Sequence, residues 1–156
     1  MRRPFVCGNW KMYKTPSEAR TLAREIRNGL RGASQQVEVA VCPAYPALPA
    51  VVEALDGSPV ACGAQNCAPA PEGAFTGEVA VPMLVDLGIR FVILGHSERR
   101  QFFGETDSGV HEKLEAVIGA GLTAILCVGE TLEQRDAGRT EEVVDSQIRG
   151  ALQGVP

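Results

Sequence analysis

Short apolar runs recur along the chain at residues 5–10, 37–42, 59–64, 90–94 and 122–128, most of them rich in Val or Ile. Runs that are apolar or small on both alternating faces predict parallel strands buried on both sides. Between them the period changes from two to about four. After Thr15-Pro16-Ser17-Glu18, the residues Leu22, Ile26 and Leu30 recur on one helical face, and Gly32 supplies a stop. Those four opening residues form a capping-box signature with proline at the first helical position. Val110, Leu114 and Val117 make a second stripe between Thr106 and Gly119, and Val144, Ile148 and Leu152 a third between Thr140 and Gly154. Weaker helical patterns cover residues 44–56, with Pro46 and Pro49 in the first turn, and residues 82–87.

Strand alternating with helix predicts parallel βα units, because parallel partners need a crossover and the crossover is usually a helix. Five such units fit the chain. Periodicity alone suits an open doubly wound sheet and a barrel equally well. No Gly-rich dinucleotide or P-loop fingerprint follows the first run, which counts against a nucleotide-binding Rossmann domain. The longest loop, 65–78, holds Pro69, Pro71, Gly73 and Gly77. A loop of that length inside a domain is usually functional or an interaction surface. No linker or low-complexity stretch divides residues 1–156, so one domain is expected.

Bulk composition narrows the function classes. The 156 residues are 45% hydrophobic and 22% charged, with a formal charge of -4. A soluble globular protein is expected, with neither nucleic acid nor membrane as partner, since both favour basic surfaces. Arg2-Arg3 and Arg99-Arg100 are too short to track a phosphate backbone. No apolar segment after Arg2-Arg3 resembles a signal sequence, so a cytoplasmic location is expected. Five scattered cysteines (Cys7, Cys42, Cys62, Cys67, Cys127) lack metal or redox spacing. They read as reduced, small, buried side chains, and neither a metal nor a cofactor is expected.

Candidate chemistry sits after the runs, at the carboxyl ends where parallel α/β folds collect their ligands. Asn9 and Lys11 share parity and so project to one side. Lys11 is either a solvated surface lysine or a fixed charge for an anionic substrate. Asn9 is either a ligand contact or a cap for loop backbone. His96 follows a buried run and precedes the helix start Ser97-Glu98, whose positive end disfavours imidazolium. A neutral histidine there can donate to a carbonyl oxygen, which suits enediolate chemistry. Glu98 is either a base or, flanked by Arg99 and Arg100, a salt-bridge partner that holds the loop, and the flanking charges favour the second. Glu105 and Glu130 read as helix-start or supporting acceptors, and Cys127 as a core thiol.

Six strings occur together: Gly8-Asn9-Trp10-Lys11-Met12, Ala64-Gln65-Asn66, Gly73-Ala74-Phe75-Thr76-Gly77-Glu78, Leu94-Gly95-His96-Ser97-Glu98-Arg99-Arg100, Gly104-Glu105-Thr106-Asp107 and Cys127-Val128-Gly129-Glu130-Thr131-Leu132. In this order and spacing the chain resembles the triose-phosphate isomerases. The resemblance implies a (β/α)8 TIM barrel, of which residues 1–156 are the first five βα units of one domain. It further implies cofactor-free interconversion of dihydroxyacetone phosphate and glyceraldehyde 3-phosphate, a step of glycolysis and gluconeogenesis. Asn9 and Lys11 would bind the substrate, His96 would polarise its carbonyl, Glu98 would hold Lys11 in place, and Cys127 would support the site. Loop 65–78, with Thr76 near its tip, would mediate a homodimer. Ala80 departs from the usual serine and would weaken a helix cap.

The other departure is length, since such barrels take about 250 residues. In the family the glutamate base follows the sixth strand, and the phosphate-binding loops follow strands six to eight. Those elements are not among the 156 residues. The chain alone is therefore expected to be inactive and poorly stable, or to survive through association. A non-catalytic half-barrel scaffold and a fragment active by complementation are the alternatives.

Overall fold

The computed structural model describes residues 3–32 and 36–155; Arg2, of the Arg2-Arg3 pair, lies outside them. Five strands form: β1 (Phe5–Asn9), β2 (Glu38–Cys42), β3 (Val60–Ala64), β4 (Phe91–Leu94) and β5 (Thr123–Leu126). Between and after them come α1 (Pro16–Gly29), α2 (Leu48–Leu55), α3 (Val81–Asp86), α4 (Ser97–Phe103), α5 (Asp107–Gly119), α6 (Leu132–Asp136) and α7 (Thr140–Leu152), with a short 3-10 turn at Tyr45–Ala47.

All strand pairings are parallel, and the spatial order is β1-β2-β3-β4-β5, the order of the sequence. That order decides between the two candidate architectures. A doubly wound sheet reverses direction at a switch point. Here every crossover steps the same way, and right-handed crossovers then place every helix on one side of the sheet. The result is a curled half-barrel, the first five units of a TIM barrel.

The two faces of the sheet differ accordingly. Val39, Val41, Val60, Cys62, Val92, Leu94 and Leu126 pack outward against Leu48, Val51, Leu84, Val110, Leu114 and Val117 of the helical layer. Ala40, Ala61 and Phe91 form a second, concave cluster joined by Cys7 and Ile125. The rings of Phe5 on β1 and Phe91 on β4 meet across that concave face, their centroids 4.8 Å apart. In a flat sheet those two strands would stand about 14 Å apart, so the contact reflects the curl. The intervening alanines leave room for the rings.

The helix stripes need two corrections. On α1 the fully buried residues are Ala19 and Ala23, which let this helix approach α2 closely; Leu22, Ile26 and Leu30 lie on the flanks. On α7 the buried residues are Val143 and Ala151, while Ile148 and Leu152 are exposed. Gln147 lies between the buried pair, and its side chain bonds both N–H and C=O of Gly129 after β5. A polar residue at the centre of the packed face shifts the apolar count onto the wrong stripe. Helix α6 was not apparent from the apolar pattern at all. Its signal is the capping box of Thr131 and Gln134, present on both sides. At the start of α3, Ala80 forms no side-chain cap, as its departure from serine suggested.

Candidate active site

At the carboxyl end of the sheet the loops after β1, β2, β3 and β4 enclose a cleft of about 530 Å³ lined by Asn9, Lys11, Gln65, His96 and Glu98, among others. Each of these side chains is placed by a local device.

Lys11 carries a left-handed backbone, φ 52°, which a non-glycine residue holds only when neighbours fix it. Its N–H donates to Asn9 Oδ1 at 2.9 Å, and its carbonyl accepts from Gln65 Nε2 at 2.8 Å. Gln65 Nε2 also donates to the Cys42 carbonyl at 2.8 Å, so one amide ties the loop to β2. The Lys11 ammonium donates to Glu98 Oε1 at 2.7 Å. That bond comes first among the causes that raise the lysine above its ordinary value, and it likewise holds the Glu98 carboxyl below its own. Asn9 thus caps backbone, the second of its two sequence readings, and its remaining amide group is open to a ligand. In the sequence Gln65 stands out only as part of the string Ala64-Gln65-Asn66. Its parity with Ala61 and Gly63, on the concave row, was the signal available.

His96 is set by the turn before it. Gly95 has φ 70°, and a Cβ there would lie 3.0 Å from Arg100 Nη2 and 3.1 Å from the Cys127 carbonyl. Only glycine fits both the conformation and the space. Arg100 Nε donates to the Gly95 carbonyl at 2.9 Å. The chain then enters α4 with His96 as its N-cap, and Nδ1 accepts the backbone N–H of Glu98 at 3.2 Å. A ring nitrogen that accepts a hydrogen bond from a fixed N–H carries no proton itself, so a neutral ring here is the Nε2–H tautomer. Glu98 Oε2 lies 3.5 Å from the same nitrogen, too long for a charge-assisted bond. The backbone bond therefore decides. Lys11 and His96 both stand within 4 Å of one carboxylate, which puts the ammonium and the imidazole in a common cleft.

Arg99 and Arg100 turn away from Glu98, contrary to the sequence reading of a flanked salt bridge. Arg100 pairs with Asp107, and Arg99 reaches Glu105 at 3.4 Å. Glu105 is almost fully buried and also pairs with Lys113, whose ammonium donates to Asn66 at 3.0 Å. Glu130 accepts from Arg135 at 2.7 Å and Thr140 at 3.3 Å, a supporting role for the loop after β5.

Cys127 lies on the concave side next to Gly95, and its sulfur donates to the Ile125 carbonyl. Cys42, Cys62 and Cys67 are buried as expected, but Cys7 and Cys127 are partly exposed. Those two sit on the flanking strand β1 and just past β5, where the concave face opens. Among the described residues no three side chains of His, Cys, Asp or Glu gather to hold a metal ion, and no helix is long and apolar enough to cross a membrane. The tip of loop 65–78, including Phe75 and Thr76, is exposed, while its base is tied by Ala68 N–H donating to the Val79 carbonyl at 2.8 Å.

Residues 4–156 match the family model described as Triosephosphate isomerase. Curated proteins named triosephosphate isomerase are similar over nearly the whole chain. The one from Carboxydothermus hydrogenoformans is 56% identical over 155 residues, 99% of this chain and 61% of its own length. Those from Chloroflexus aurantiacus and Moorella thermoacetica are 54% and 52% identical, over 100% and 99% of this chain and 62% and 61% of theirs. The chain thus spans about three-fifths of the length of these relatives. On sequence order, strand order and family match alike, the chain belongs to the triosephosphate isomerase family.

Proposed function

We propose that this chain carries the carbonyl-polarising half of a triosephosphate isomerase site, acting on a phosphorylated triose through an enediolate. The observation that carries the reading is the His96 ring: Nδ1 is occupied by the Glu98 N–H, which leaves Nε2–H to donate into the cleft shared with Lys11. A neutral donor can bond a developing enediolate oxygen and pass its proton between the two oxygens without becoming a strong acid. This family is itself the standard illustration of a histidine kept neutral at a helix N-terminus. Lys11, fixed at backbone and side chain, supplies positive charge for the phosphate and the enediolate, and Asn9 supplies an amide. Glu98 acts through Lys11, and Cys127 packs beside Gly95.

A proton must also leave carbon. Glu98 is the sole carboxylate among the described residues lining the cleft, and Lys11 holds it. In this reading the base comes from the portion of the relatives' length that the chain does not span. The 156 residues alone then polarise but do not isomerise. Residues 1–156 belong to one barrel domain, completed by three further βα units, and loop 65–78 with Thr76 at its tip serves a homodimer.

The test fuses residues 1–156 to the C-terminal remainder of the Carboxydothermus relative and assays isomerisation in both directions. Turnover by the fusion and none by the 156 residues alone is the expected result. A folded fusion without turnover, or turnover by the shorter chain at a comparable rate, contradicts the reading.

A further inference from the structure

We propose that Cys7 and Cys42 form an oxidisable dithiol, a modification site at which a hydroperoxide converts the two thiols into a disulfide. Their sulfurs lie 3.5 Å apart on neighbouring strands. The register sets Cys7 opposite Ala40 and Asn9 opposite Cys42, so the two thiols are diagonal neighbours on the concave row. By contrast, Cys62 and Cys127 direct their thiols at backbone carbonyls, those of Gly63 and Ile125. Space for the Cys42 sulfur is provided by Gly63 on β3, where a Cβ would lie 2.6 Å from it.

The two cysteines differ in a way that orders the chemistry. On the concave face of these five βα units Cys7 is partly exposed and Cys42 fully buried, so in this chain Cys7 meets the oxidant first. The hydrogen bond between them holds the Cys7 thiol below its ordinary value and, together with burial, pushes Cys42 up. The more accessible sulfur is thus also the better nucleophile.

In the first step the Cys7 sulfur attacks an oxygen of the peroxide. An S–O bond forms, the O–O bond breaks, and the other oxygen leaves with a proton as water or alcohol. Cys7 is then a sulfenic acid. In the second step the Cys42 sulfur attacks the Cys7 sulfur, the S–S bond forms and the S–O bond breaks. Hydroxide leaves and takes the Cys42 proton as water. Each sulfur gives up one electron, and the peroxide accepts both.

Closing the pair brings the sulfurs from 3.5 Å to about 2.05 Å. That movement reaches the cleft through one group. The Cys42 carbonyl accepts from Trp10 N–H at 3.0 Å and from Gln65 Nε2 at 2.8 Å, and Gln65 in turn holds the Lys11 carbonyl. The oxidation itself is independent of the functional reading above; only its effect on turnover rests on that reading.

The experiment treats the fusion described above, and the 156-residue chain beside it, with hydrogen peroxide, quenches with an alkylating agent and maps the peptides by mass. A Cys7–Cys42 cross-linked peptide is expected, about 2 Da lighter than the two free peptides together. It should form before oxidation at Cys62, Cys67 or Cys127, disappear with dithiothreitol and be absent from Cys7→Ser. In Cys42→Ala, Cys7 should instead accumulate as a sulfenic acid trapped by dimedone. The proposal is overturned if Cys7 proceeds to sulfinic acid while Cys42 remains alkylatable. It is equally overturned if other thiols oxidise first, or if the cross-link forms as readily in urea as in the folded chain.

Discussion

Replacing His96 with glutamine in the completed barrel is expected to lower kcat by about 10²–10⁴-fold, the usual range for loss of a positioned proton-transfer group. KM should change far less if, as proposed, the charge that binds the phosphate is that of Lys11. Glutamine is the informative choice. Its carbonyl oxygen can accept the Glu98 N–H that His96 Nδ1 accepts at 3.2 Å, so the start of α4 is preserved. Its amide can still donate to a carbonyl oxygen, but it cannot give up a proton and recover it. The loss should therefore fall on kcat with the circular dichroism unchanged. A variant within a few-fold of the parent would remove His96 from the proton path.

The largest stability effect is expected at Glu105. Its side chain is 4% exposed and faces Lys113, itself 12% exposed, and Arg99 reaches the same carboxylate oxygen. Glu105→Gln removes the negative charge and leaves the Lys113 ammonium buried beside Asn66. Breaking a buried pair in this way costs about 3–5 kcal/mol, read as a lower urea midpoint of the completed barrel. Arg99 is less confined and can turn towards water, so Lys113 carries most of the effect. The double variant Glu105→Leu with Lys113→Met removes both charges and should recover much of the loss. If the single and double variants are equally destabilised, shape rather than charge governs the site.

Much of this fold is legible in the sequence because its strands are short apolar runs. The runs at residues 5–10 and 90–94 end within a residue of β1 and β4; β3 and β4 are buried along their whole length, as the pattern predicts, whereas β1 and β5 flank the sheet and are only partly covered. Helices α1 and α7 were harder to orient. Their packed faces are centred on alanines and on Gln147, and a count of large apolar residues skips both. Barrel and open sheet share every local pattern, and only the spatial strand order separates them. That order is a property of tertiary pairing, invisible to periodicity.

The cleft divides in the same manner. His96 and Lys11 stand out because each follows an apolar run. Gln65 does not, because its contribution is one amide bonded to two backbone carbonyls from different strands. The partner of Glu98 follows from the family resemblance and not from its neighbours: two arginines adjoin it in sequence, yet the cation that reaches it is Lys11, 87 positions away. Nearest neighbours on a helix point in different directions, so Arg99 and Arg100 are free to hold Glu105, Asp107 and Gly95.

The most direct test of a shared imidazole–ammonium cleft is a nitrogen-15 NMR titration of the completed barrel with dihydroxyacetone phosphate. The His96 ring nitrogens and the Lys11 ammonium should shift together along one saturation curve, with Nδ1 showing the resonance of an unprotonated nitrogen throughout. Response of only one of the two residues, or two curves with different midpoints, would contradict it.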